Sequence, residues 1–373
     1  AMDSYDVVIV GAGIVGASAA RHLAPDRDVL VVDRDQVAAA TTGRASGLVS
    51  PEYDLNAHLD AAKYASERIH DLDGTGHFEL TPGPGVSLVR PDEREMDREM
   101  VERAREAGFD ATLVDAAAAA ERLPDAFDLS AFAAVGFFED TGFVDPYTYA
   151  TTLMDEAVAA GADLRTGVRV EGLVADEDGV AGVETADGPV DADHVVVAAG
   201  WRTRDLVSAH VSIPVRPFRY QTATLSVDVD VASFPVAWEH ETLLYWRRDL
   251  NGDLHVGGQP YFVDDPGTVR TQVRPSFRDA LARDLPRYLP DLGRARIVSE
   301  DTCPTGDAAT PDGVPILDAP SEAPDGLVVA TGMHGFGIML APVAGAAVAA
   351  HVTGESAPFD LSPFALSRFD DRS

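Results

Sequence analysis

The segment VIVGAGIVGAS, residues 8–18, constrains this chain more than any other. DVVIV (6–10) reads as a buried strand, and three glycines then open a stretch with Ile14, Val15, Ala19 and Leu23 at helical spacing. VLVVD (29–33) is a second buried strand. Strand, glycine turn, helix and strand in that order make half of a parallel α/β nucleotide-binding unit. Gly11 permits the tight turn, Gly13 lets a pyrophosphate approach the backbone, and Gly16 lets the helix lie close to the sheet. The helix N-terminus offers N–H groups to the phosphates. Asp33 ends the second strand, where it accepts from ribose hydroxyls and would repel a 2′-phosphate. A dinucleotide site is therefore expected.

Helical patterns follow at 55–72, 92–107, 115–123 and 146–162, and short strands run to about residue 200. From 212 to about 262 the chain is strand-rich, with an Asn-Gly hairpin signal in RDLNGDLHVGG. Residues 276–289 return to helix, GLVVATG (326–332) is another buried strand, and a helix starts near 338. The expected fold class is mixed α/β. A Rossmann-like domain over 1–78, 145–212 and 303–373 is interrupted by an antiparallel sheet domain over 79–144 and 213–302.

The 373 residues carry 62 acids against 29 bases, a formal net charge of -33, and Lys63 is the sole lysine. Such a surface excludes a nucleic-acid binder, which needs the opposite sign. It suits either the steering of a cationic partner or life in molar salt, where screening is short-ranged. A single cysteine, Cys303, excludes an intramolecular disulfide, and no apolar run is long enough to span a bilayer. A cytoplasmic location is expected. The histidines show no metal-ligand spacing.

VVIVGAGIVGASAARHLA, VVDRD, TTGRASG, VVVAAGWRT, TPDGVPILD and VVATGMHGFGIMLAPVAGAAVA, in that order, resemble the FAD-dependent D-amino-acid/sarcosine/glycine oxidase family. The resemblance spans nearly the whole chain. It implies a glutathione-reductase-type FAD domain, a sheet domain for substrate, and hydride transfer from the C–N carbon of a small amine or amino acid to the flavin. It implies FAD contacts at Gly11, Gly13, Ile14, Val15, Gly16, Asp33 and Arg34 in the first unit. Others are implied at Thr41, Thr42, Gly43, Arg44, Ala45, Ser46 and Gly47, at Val170, and at Ala199, Gly200 and Trp201. The last group is Gly332, Gly335, Phe336, Gly337, Ile338 and Met339. Cys303 resembles a cysteine that some relatives link covalently to flavin.

Strand alternation places Tyr245 and Arg247 of ETLLYWRRD on one face and Trp246 on the other. Tyr245 falls where the resemblance implies a substrate-side tyrosine, Arg247 is a candidate carboxylate clamp by bidentate pairing, and His334 a candidate beside the flavin. Two clamps implied by the resemblance are absent. Asp307 stands where amino-acid-oxidising relatives have an arginine, and Met339 where the sarcosine branch has a lysine. Either Arg44 or Arg247 substitutes, or the substrate is not a simple α-amino acid. The electron acceptor is open between oxygen, a quinone and an electron-transfer protein, with a dehydrogenase weakly favoured. Two rivals stay open: a 2-hydroxy-acid dehydrogenase and a non-catalytic flavin-binding subunit.

Overall fold

The apolar runs at the ends of the chain pair with one another to make the first sheet. The computed structural model describes residues 4–177, 179–264, 266, 272–292, 294–302 and 306–372. In it, five strands run parallel in the spatial order Asp163–Thr166, Val29–Asp33, Ser4–Val10, Gly188–Val197, Leu327–Thr331. Val170–Ala175 and Val180–Thr185 extend this sheet antiparallel beside Gly188–Val197, and Ile316–Asp318 flanks Leu327–Thr331. Alternate side chains supply two cores. Val7, Ile9, Val29 and Val31 pack under the helices Ile14–Leu23, Leu59–Leu72, Pro146–Ala159 and Gly337–Thr353; Val8, Val10, Leu30 and Val32 fill the other face. No helix among the described residues is long and apolar enough to cross a membrane.

Among the described residues the second sheet has nine strands, with the central order Arg216–Ser226, Leu254–Phe262, Leu244–Arg248, Val236–Glu239, Gly85–Val89, Ala134–Phe138. It is not wholly antiparallel as expected: Val236–Glu239 runs parallel to Gly85–Val89, because the two strands come from separate chain segments and no hairpin fixes their sense. Asp307–Ala309 also pairs with this sheet, although it lies in a segment assigned to the first. Trp246 is fully buried on one face, among Val86, Leu88, Phe137 and Val256, and under the helices Pro275–Arg283 and Leu285–Tyr288. The opposite face carries Tyr220, Tyr245 and His255. Leu48–Val49 with Gly142–Phe143 and Thr81–Pro82 forms a separate three-stranded patch.

Several elements differ from the pattern. The alanine run forms only one turn, Ala116–Ala119, because Asp115 is drawn into the strand Ala111–Asp115 and so short a helix gains little beyond its nucleus. Pro286 lacks an N–H, so the expected helix at 276–289 breaks at Asp284 into two. The hairpin is real, but its loop is longer than two residues. Asp249 N–H donates to Asp253 at 2.8 Å, and of the Asn-Gly pair only Gly252, at φ +89°, is left-handed.

Candidate functional site

A cleft of about 660 Å3 runs along the carboxyl ends of the parallel strands, where nucleotide sites form in open α/β sheets. Gly11 is its pivot. Its φ of +114° is open to glycine, its N–H donates to Val32 at 2.9 Å, and any Cβ would be driven into the Ala198 carbonyl. Gly13 leaves its wall bare, with the nearest atom to a notional Cβ being Thr42 Oγ1 at 3.1 Å. The Ile14 N–H donates to that hydroxyl at 3.0 Å, so one amide expected to face a phosphate is held by the protein. Asp33 accepts the Ala12 N–H at 2.7 Å and the Asp35 N–H at 2.8 Å, which aims its carboxylate at the cleft. Burial raises its pKa, against the pull of those two N–H groups.

Of the residues read as FAD contacts, Gly11, Gly13, Ile14, Val15, Asp33, Arg34, Thr41, Thr42, Ala45, Val170, Ala199, Gly200, Trp201, Gly335, Gly337 and Ile338 line this cleft. Gly16, Gly43 and Gly332 do not. A Cβ on them would meet the Gly11 carbonyl, the Ala38 carbonyl and Thr310 respectively, so they serve close packing. Arg44, Ser46, Gly47, Phe336 and Met339 line an adjoining cavity instead. Cys303 lies outside the described residues. The bare Gly13 wall, the pre-aimed Asp33 carboxylate and the volume of the cleft fit an FAD molecule.

The adjoining cavity, about 300 Å3, shares Thr41, Ala45, Asp307, Gly335 and Ile338 with the cleft. Its walls are aromatic and acidic. Tyr53 and Trp238 pack at 4.5 Å between ring centroids, and the Tyr53 hydroxyl pairs with His240 Nε2 at 2.8 Å. Tyr220, Tyr245 and Phe336 complete the aromatic lining. Tyr245 reaches Ser46 Oγ at 2.6 Å, and Ser46 in turn pairs with His255 Nε2 at 2.9 Å. The ring of Tyr245 lies in space that a side chain at Gly257 would need. Burial, with Arg247 nearby, holds His255 down to about 3, so its imidazole stays neutral. Burial pushes Asp54 up to about 7 and Asp307 up to about 6.

Two of the candidates stand apart from the cavity walls. Arg247 is on the face predicted and shares Ser46 with Tyr245, but it does not line the cavity. Its guanidinium donates to the Ser46 carbonyl at 2.9 Å and to the Arg248 carbonyl, pairs with Asp249, and lies over Phe143. Its Nε and Nη1 donors are thus engaged within the protein, away from the cavity. His334 is turned away from both cavities, between Phe218 and Phe336. Its left-handed backbone, φ +52°, lets its N–H donate to Ala308 at 2.9 Å, and burial lowers its imidazole pKa.

Asp54, Tyr53, Tyr220, Trp238 and His255 escaped the sequence reading. Tyr220 and Thr222 share one face of an alternating strand, and that period was the available signal. Asp54 carried none, because a lone acid in SPEYD looks like any surface acid in so acidic a chain.

A doubly sheeted fold with a dinucleotide cleft opening into a small buried cavity defines a cofactor-dependent redox enzyme. Residues 6–351 match the FAD dependent oxidoreductase family model, and the chain belongs to that family of flavoenzymes. It is 26% identical to the 4-methylaminobutanoate oxidase (formaldehyde-forming) of Paenarthrobacter nicotinovorans, over 97% of this chain and 45% of that protein. It is 27% identical to human mitochondrial dimethylglycine dehydrogenase, over 98% and 44%. The chain thus spans less than half the length of these relatives. The solved L-proline dehydrogenase of P. horikoshii shares the fold, with a TM-score of 0.86 at 20% identity and all of both chains covered.

Proposed function

We propose that the chain oxidises the C–N bond of a small amine, giving an imine that water hydrolyses to a carbonyl compound and the released amine. The observation that carries this reading is the cavity joined to the cofactor cleft, with aromatic walls and three acidic residues, Asp54, Glu239 and Asp307. The relatives' names, a methylamino-acid oxidase and a dimethylglycine dehydrogenase, support a substituted amine. FAD, when bound, supplies the two-electron oxidation by taking up hydrogen and its electron pair from carbon. Gly11, Gly13 and Asp33 would hold the cofactor, while Tyr53, Trp238, Tyr220 and Phe336 enclose the substrate and keep water from the reacting carbon. The Tyr245–Ser46–His255 chain fixes one polar wall in a neutral state.

The electron acceptor in this reading is something other than oxygen. Lys63, the sole lysine, is exposed on the helix Leu59–Leu72 and lines neither cavity, so no ammonium stands by to stabilise a developing superoxide. Anaerobic titration of the FAD-loaded protein tests the reading. Amines are expected to bleach the flavin, and bleaching by 2-hydroxy acids alone, or by no donor, overturns it.

A further inference from the structure

The next step rests on the amine reading and narrows it. Asp54 lies deep in the cavity. The Ser50 hydroxyl donates to its Oδ2 at 2.8 Å, and no cationic side chain among the described residues acts on it. Asp307 sits where the two cavities meet. It accepts the Ala308 N–H at 2.7 Å and the Gly335 N–H, again with no cation beside it. Tyr220 and both carboxylates line the same cavity. Arg44, the one arginine on the wall among the described residues, is paired with Asp301 at 2.5 Å, where both are partly exposed. A carboxylate brought into this space would meet Asp54, Asp307 and Glu239 and lose its hydration, with only the Asp301-paired Arg44 opposite to replace it. An ammonium would meet two anions and the faces of Tyr53, Trp238 and Tyr220.

We propose that the cavity takes its substrate as an N-methylated ammonium ion with no carboxylate on the carbons next to nitrogen, and that Asp54 receives its proton. In that transfer an N–H bond breaks, an O–H bond forms on Asp54, and the electron pair stays on nitrogen, leaving the neutral amine that oxidation requires. The protonated Asp54 then keeps its hydrogen bond from Ser50 and turns its hydroxyl to the amine.

The FAD-loaded protein is to be compared with N-methylbutylamine and sarcosine as donors, and with tetramethylammonium and acetate as non-oxidisable probes read by calorimetry. N-methylbutylamine is expected to exceed sarcosine by about tenfold or more in kcat/KM, and tetramethylammonium to bind where acetate does not. Asp54→Asn is expected to weaken tetramethylammonium binding by about tenfold while the flavin spectrum is kept. If that variant fails to load FAD, Asp307→Asn is the second arm, with the same direction expected. Preference for sarcosine, competition by acetate, or unchanged tetramethylammonium binding in the loaded variant overturns the inference. Reduction by sarcosine without N-methylbutylamine overturns it alone and leaves the amine reading standing, whereas reduction only by 2-hydroxy acids removes both.

Discussion

Glu52 lies fully buried two residues from Asp54, on the same short helix Pro51–Asp54. Thr141 donates to its Oε1 at 2.9 Å, Oε2 has no partner, and burial pushes the carboxyl up to about 7 from 4.5. The native chain therefore holds this proton more tightly than the unfolded chain. The stability gained from it is full below about pH 4.5 and is lost as pH rises through about 7. Glu52→Gln is expected to raise stability at pH 8 by up to roughly 3 kcal/mol and to leave it unchanged at pH 4, as denaturant melts at the two pH values would read. Activity should follow the other carboxylates. Asp54 faces Ser50, Tyr53, Tyr220, Glu239, His240, Tyr245 and Asp307 across the cavity, so kcat/KM for an amine is expected to climb between about pH 6 and 7 as Asp307 and Asp54 ionise. Asp54→Asn should remove the upper part of that climb. A profile that stays flat through this range in the unsubstituted chain would discard the assignment.

Among the elements, the glycine turn separates two jobs that a motif alone runs together. Gly16 packs on the Gly11 carbonyl, whereas Gly13 faces the cleft. Gly16→Ala is expected to lower the melting temperature of the cofactor-free protein. Gly13→Ala should leave that temperature within a degree or two, yet weaken FAD uptake by about tenfold, since a methyl group fills space the pyrophosphate needs. Equal effects on both properties in the two variants would refute the division. Legibility followed the same line. The βαβ unit was readable because its strands are apolar throughout and its glycines answer to local backbone demands at Gly11 and Gly16. The alternation of Tyr245, Trp246 and Arg247 was readable for the same reason, since period two is local. What Arg247 does was not, because Phe143 and the Ser46 carbonyl reach it from chain segments about a hundred and two hundred residues away. The cavity is likewise assembled from Asp54, Tyr220, Trp238, Asp307 and Phe336, five segments brought together only by the sheets.

At the scale of the molecule, a formal charge of -33 spread over 373 residues sets a long-range repulsion that the ion pairs do not offset. Those pairs are mostly at the surface, such as Arg98 with Glu95 and Glu102, and such contacts contribute little individually. The screening length falls from about 10 Å at 0.1 M salt to about 3 Å at 1 M. The melting temperature is therefore expected to rise steadily from 0.1 M to molar sodium chloride, and a fall over that range would show that the acids are compensated locally.

The partition between the two hollows is thin: Thr41, Ala45, Asp307, Gly335 and Ile338 belong to both. A guest in the larger hollow therefore completes the container that the smaller one offers. On the amine reading, the nucleotide is expected to load first and the amine second, and linkage makes the benefit mutual. An amine too sluggish to be oxidised should lower the dissociation constant of FAD by the same factor by which FAD tightens that amine. The enzyme would then hold its cofactor most firmly while fuel is plentiful.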